Sequence, residues 1–323
     1  MSKQKKYLIL DTETATLPYA NQACRNAKQK QMVAIAKPLI YDIGWTVCTS
    51  TKVLERKNFL IAETYGVPAV FNTAYYKDKK DLYVEKIKRQ EIRIVSWCEA
   101  LAELEKDLQD VCLVGAFNAT FDFKKAIPFT IRYMNALYGN YFEDWEGRQR
   151  KSIDNMLSGE KPKNNPDFLT PSFEINGKYY PLVDLWGLAC DRLINNERYK
   201  RYCMKNALFT NSKEFFKTNA ECCFQYLAKQ YGFIEEHTAL ADAEIETVIL
   251  QKALKKGSVQ PRIKEFPYRL LGTTLDFVTK YPKYAPILYN EYEIYLQQCI
   301  AENKSSRWLS SVTNKMARVE ILL

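Results

Sequence analysis

The sequence predicts an α/β sandwich, in which helices cover a mixed central sheet. Three observations lead there: an unbroken apolar run near the amino terminus, two strand-like segments joined by a polar turn, and a helix-periodic stretch followed by a second apolar run. Unbroken apolarity marks a strand covered on both faces, whereas apolar residues spaced by three and four mark a helix with one buried stripe.

Tyr7, Leu8, Ile9 and Leu10 are continuously apolar, so Lys6 to Asp11 reads as a central strand. Ile40 to Cys48 and Lys52 to Ile61 read as two further strands, and the polar Thr49, Ser50 and Thr51 supply the turn of a three-stranded meander. Between Ile94 and Leu108 the apolar positions 94, 97, 101, 104 and 108 have the spacing of an amphipathic helix. Val111 to Phe117 follows as another buried strand. Pro181 to Asp184 reads as a short strand, with helices expected near Leu185 to Ile194, Asn219 to Gln230 and Thr238 to Leu254. Two stretches fit this core poorly and read as insertions: about 62–93, rich in Tyr and Lys, and about 138–179, with clustered Gly, Pro and Asn. The expected organisation is one domain over 1–254 and a basic, aromatic-rich helical extension over 255–323.

With 47% hydrophobic and 26% charged residues in 323, the chain has the composition of a folded globular protein and excludes extensive disorder. Its nine cysteines contain no CxxC pair and read as reduced core residues, which points to the cytoplasm; the large insertions between its core elements suit a bacterial or phage-infected cell as the source. A single histidine leaves little room for a Cys/His zinc site. The apolar run that begins at Tyr7 stops at Asp11, too soon for a signal peptide, and no stretch approaches membrane-spanning length, so no membrane partner is expected. The net charge of +9 suits a polyanionic partner, and the tail from Lys255 holds eleven Lys/Arg against six Asp/Glu.

Asp11 and Glu13 stand two apart at the end of the first strand, so both carboxylates point to one face. Two hard carboxylates on a rigid strand suit Mg²⁺ or Mn²⁺, although a pair of this kind is common at solvated strand ends. Asp122 follows the strand Val111 to Phe117 across Asn118, Ala119, Thr120 and Phe121, where a strand passes into a helix. An isolated Asp there would be read as a helix cap. Asp242 falls on the stripe of Ile245, Ile249 and Ala253, with Ala241 and Val248 beside it, so its charge is aimed inward and needs a partner such as a cation. Glu244 falls on the polar face. His237, the only histidine, stands five residues before Asp242 at the mouth of the same helix. A neutral imidazole, titrating near ~6.5, suits the acceptance of a proton from water at neutral pH.

Together, DTETATLP at 11–18, NATFD at 118–122 and HTALADAE at 237–244 resemble the three motifs of the DEDDh exonucleases, the superfamily of the proofreading subunit of bacterial replicative polymerase, RNase T and oligoribonuclease. The resemblance covers the core to about Leu254 and leaves out both insertions and the tail. It implies a ribonuclease-H-like fold, two divalent metal ions, and stepwise release of 5′-mononucleotides from a 3′ end. In those terms Asp11, Glu13 and Asp242 hold the metals, Asp122 completes the second site and His237 is the general base. Leu17 matches a position that packs against terminal bases, Thr12 and Thr14 line the same loop, and Asn118 and Phe121 are further candidate substrate contacts. Two departures bear on those contacts: Ala15-Thr16 replaces a common Thr-Gly pair, and Phe117 stands where a histidine is frequent.

The expected partner is single-stranded DNA or a frayed 3′ end, with RNA as the close alternative, because the 2′-hydroxyl contact that separates them leaves no mark here. A catalytically silent nucleic-acid-binding module is the alternative from another class. The tail interleaves basic residues with Phe266, Tyr268, Phe277, Tyr281, Tyr284, Tyr289, Tyr292, Tyr295 and Trp308, a mixture that suits either base stacking or the packing of a helical extension. Tyr75, Tyr76, Lys77, Lys79 and Lys80 are open to the same two readings. The chain contains no polymerase segment, so proofreading would require a separate polymerase or replication partner.

Overall fold

The structure, a computed structural model, describes residues 4–16, 38–138, 171–175 and 178–323. Its chain forms two compact units, one of Met1–Leu185 with Ile234–Ile263, the other of Trp186–Phe233 with Lys264–Leu323. The strands are β1 (Lys6–Ala15), β2 (Leu39–Cys48), β3 (Val53–Ile61), β4 (Arg93–Val95), β5 (Val111–Ala116), β6 (Ser172–Ile175) and β7 (Lys178–Asp184). The main helices are α1 (Lys80–Lys88), α2 (Trp97–Leu108), α3 (Ile127–Tyr138), α4 (Glu197–Lys205), α5 (Ala220–Ala228), α6 (Ala239–Leu254), α7 (Thr274–Lys280), α8 (Ala285–Ala301) and α9 (Ser306–Glu320).

The first unit is built on a mixed seven-stranded sheet in the order β4-β3-β2-β1-β5-β7-β6. β1, β2 and β3 form the expected antiparallel meander, while β5 runs parallel to β1 and β7 parallel to β5. Every residue of β2 is buried, as its place inside the sheet requires. On one face Leu8 and Leu10 pack with Trp97, Leu101, Leu104 and Leu108 of α2, with Phe123 just before α3 and with Ile127 and Ile131 of α3. α6 covers the other face, where a side chain at Gly44 of β2 would overlap the backbone of Ala239 and Leu240. The fold is therefore α/β, with helices on both sides of a mixed sheet.

Several elements depart from the sequence expectation. The helix expected from Ile94 begins at Trp97, because Ser96 has an extended backbone and its side chain accepts the Glu99 N–H at 3.2 Å, a regular N-cap. Ile94 instead lies in β4 and is 47% exposed. The stretch 62–93 is no loose insertion: Val70, Phe71, Ala74, Tyr83 and Ile92 form a cluster with Ala15, Leu39, Tyr41 and Leu60. Thr64 ties it to the sheet by donating to the Ile40 carbonyl at 2.6 Å. Of the insertion expected at 138–179, residues 139–170 and 176–177 lie outside the described residues, and β6 pairs with β7 at its far end.

The division into units also differs from a boundary at 254. Arg262 continues the ladder beside β7, donating to Leu182 O at 3.0 Å and accepting from Asp184 N at 2.8 Å, so the chain past α6 stays with the first unit. The segment 186–233, expected within the first domain, belongs to the second unit. In that unit Tyr199, Phe216, Phe277, Tyr284 and Tyr292 are buried, whereas Phe266 is 55% and Trp308 47% exposed, so the tail aromatics divide between packing and surface. Among the described residues the cysteines form no disulfide, and no helix is long and apolar enough to cross a membrane.

Candidate active site

Strand pairing fixes where the first two acids lie. Asp11 stands opposite Gly44 and Glu13 opposite Asp42 in the β1–β2 ladder, with an irregularity between Glu13 and Thr14. Directly paired residues point to the same face of a sheet. The face that carries Asp11 and Glu13 is therefore the one on which the missing side chain of Gly44 admits the first turn of α6. That turn contains Asp242. Asp42 secures it: its carboxylate accepts the Ala239 N–H at 3.0 Å and the Tyr83 hydroxyl at 2.9 Å, and it also accepts from Asn58. Burial raises the Asp42 carboxyl to about 6 against these hydrogen bonds, which favour the charged form. Asp42 thus acts as the anchor of the helix.

Ligand-capable atoms of Glu13, His237 and Asp242 lie within 4.8 Å of one another. His237 presents Nδ1 to Asp242 Oδ2 at 3.8 Å and to Glu235 Oε2 at 3.5 Å. Asp242 Oδ1 is buried and has no hydrogen-bond partner among the described residues. Burying an anionic oxygen with no donor is costly, and a cation is the partner that such an oxygen lacks.

Asp122 approaches from the opposite side of the sheet. The chain leaves β5, turns at Asn118 in the left-handed region (φ 65°) and enters a π-helical turn, Asp122–Ala126, before α3. Asp122 is buried, and its Oδ1 accepts the Thr12 hydroxyl at 2.6 Å. Two more acids brace this turn. Glu246 accepts the Phe117 N–H at 2.9 Å and Asp184 accepts the Asn118 N–H at 3.0 Å.

Electrostatics identify the cluster as one of mutually repelling carboxylates. Burial, and then the charges of Glu246, Asp122, Asp242 and Glu13, hold Asp11 well above the usual carboxylate range. Glu13 is pushed up to about 10 by burial and by Asp242 and Asp42, while Lys79 opposes the shift. Asp122 rises to about 7, chiefly through burial, against its bond from Thr12. Glu246 is held well above its ordinary value and Asp242 is raised, again with burial first. His237 is shifted toward its charged form, chiefly by the Asp242 carboxylate beside it and against its partial burial. A site of this kind must hold protons or bind cations. Carboxylate oxygens with one imidazole nitrogen suit hard divalent ions such as Mg²⁺ or Mn²⁺.

Of the residues singled out from sequence, Glu13, Asp242 and His237 come together directly, Asp11 lies within electrostatic reach of Glu13 and Asp242, and Asp122 within reach of Asp11. Thr12 serves Asp122, and Thr14 follows the β1 irregularity and pairs with Ile40. Asn118 is exposed, Phe121 packs on the apolar core, and Leu17 lies outside the described residues. Sequence reasoning missed Asp42, Asp184, Glu235 and Glu246. Only Glu246 carried a signal, since it stands one helical turn past Asp242. α6 is also buried beyond the expected stripe: Ala243, Glu246, Thr247 and Leu250 are covered, while Glu244 pairs with Arg56 at the surface. Comparison of the chain with protein-family models, with curated proteins and with solved structures finds no match.

Proposed function

We propose that the chain is a divalent-metal-dependent exonuclease of the DEDDh type, with a ribonuclease-H-like core, that hydrolyses phosphodiester bonds from the 3′ ends of single-stranded DNA. The observation that carries this reading is the meeting of Glu13, Asp242 and His237, from residues far apart in the chain, within one set of buried and half-buried acids that includes an unpaired Asp242 oxygen. The mixed sheet with helices on both faces adds support, because a mixed central sheet covered by helices is what that core calls for.

Asp11, Glu13 and Asp242 would hold one divalent ion, and Asp122 would complete a second site. Two such ions supply relief of the negative charge that builds on the phosphate and the leaving oxygen. His237 contributes the proton acceptor. With Nδ1 turned to Glu235 and Asp242, its Nε2 is the nitrogen left to take a proton from the attacking water. The two carboxylates then stabilise the imidazolium that forms. A phosphodiester chain also matches the excess of positive charge.

One observation favours a second reading of His237. Its ring nitrogen lies close enough to Glu13 and Asp242 to act as a metal ligand itself. The two roles separate on metal affinity, which a ligand controls and a base does not.

Digestion of matched DNA and RNA oligomers with Mg²⁺ and with Mn²⁺ tests the proposal. Trimming of DNA faster than RNA is expected. Faster trimming of RNA would reassign the substrate, and binding without cleavage in either metal would replace the enzyme by a silent binding module.

A further inference from the structure

The stretch 62–93 contains no motif residue, yet it grips the loop that carries His237 at three points. The Tyr76 ring lies flat on the His237 imidazole, with centroids 4.5 Å apart and planes 12° from parallel. Lys79 donates from Nζ to the Glu236 carbonyl. Lys86 pairs with the Glu236 carboxylate at 2.8 Å, and Thr238 Oγ1 donates to that carboxylate at 2.8 Å as well. Tyr76 is itself supported, edge-on by Tyr75 at 4.9 Å and by the Lys79 ammonium 4.9 Å from its ring centre.

His237 needs such support. It lies before the N-cap Thr238 at a left-handed φ of 55°, outside the regular turns of α6, with a third of its side chain exposed. The carboxylates of Glu235 and Asp242 fix one edge of the ring but leave it free to rotate about the line through Nδ1. A flat partner on the ring face removes that rotation, because turning the imidazole out of the stack drives its edge into the tyrosine ring.

We propose that Tyr76 is a positioning residue that holds the His237 imidazole in the plane required for proton transfer at Nε2, and that the Lys79 and Lys86 contacts to Glu236 keep the loop in register with it. The stack favours the imidazolium too, since an aromatic face attracts a cation. The kinetic part of this inference rests on His237 as proton acceptor; the stack itself does not.

The chain has one histidine, so its imidazole C–H resonance in an NMR spectrum identifies itself. Tyr76 should move that resonance upfield by its ring current. In Tyr76→Phe the upfield position and the turnover are retained. In Tyr76→Leu and Tyr76→Ala the shift is lost, and kcat on a single-stranded oligonucleotide falls about 10- to 100-fold with KM little changed. Should the alanine variant not fold, the leucine variant, nearer in volume, carries the comparison. Wild-type turnover in Tyr76→Leu would reduce Tyr76 to packing bulk and overturn the proposal, as would a resonance that stays in place when the ring is removed. A wild-type protein that cuts no strand, while the resonance still follows the presence of the ring, would support the stack and remove the nuclease reading instead.

Discussion

Asp242 and His237 show how far individual residues could be read without coordinates. Their spacing, together with an inward-facing charge on an apolar stripe, pointed to a centre that needs a counter-charge, and in the structure Asp242 Oδ1 is buried with no hydrogen-bond partner among the described residues. Glu235, Asp42 and Asp184 left no such mark, because a buried acid that accepts from a backbone N–H or sits beside an imidazole looks like any surface acid in the sequence. For His237→Ala, cleavage falls on the order of 10²- to 10⁴-fold, the usual worth of a general base, while calorimetric titration with Mn²⁺ gives an affinity like that of the native protein. A large loss of Mn²⁺ affinity would make His237 a ligand, in line with its proximity to Glu13 and Asp242.

Among the elements, β1, the meander and α6 were legible because their apolar patterns are unbroken or strictly spaced. The start of α2 was not, since Ile94 extends the helical period by chance and only the Ser96 cap ends it. Nor was the role of 62–93, whose Tyr and Lys content hides a buried cluster of Val70, Phe71, Ala74 and Tyr83. The contact between β2 and α6 yields a prediction at this scale. Gly44→Ala places a methyl group inside the backbone of Ala239 and Leu240, so α6 must lift away from the sheet and take Asp242 with it. Overpacking of this sort costs about 1–3 kcal/mol. Chemical denaturation should show a loss of that size together with weakened metal binding. Native stability and metal affinity in Gly44→Ala would mean that the close approach does not seat the carboxylate.

For the whole molecule, the clustered acids link stability to pH and, on the proposed function, to metal. Asp11, Glu13, Asp122 and Glu246 all have raised carboxyls, with Asp122 at about 7 and Glu13 at about 10, so the folded chain keeps protons that the unfolded chain releases. Stability in chelator therefore falls as pH rises from the ordinary carboxylate range, about 4, toward those higher values. In the proposed metal centre divalent cations take the place of the protons, so the thermal midpoint should gain more from Mg²⁺ at about pH 8 than at about pH 5.5, where protons already neutralise part of the cluster. A midpoint independent of both pH and metal would contradict the linkage. The expected boundary near 254 differs from the unit bounds because Arg262 joins the β7 ladder through backbone hydrogen bonds, which no side-chain pattern records. The most direct test of the central claim, that these side chains form a metal-dependent phosphodiester-cleaving centre, is a time course on a 5′-labelled single strand with Mn²⁺ followed by chelator. A ladder that shortens from the 3′ end and halts on chelation is predicted. A strand left at full length, or trimming that continues after the metal is removed, would contradict it.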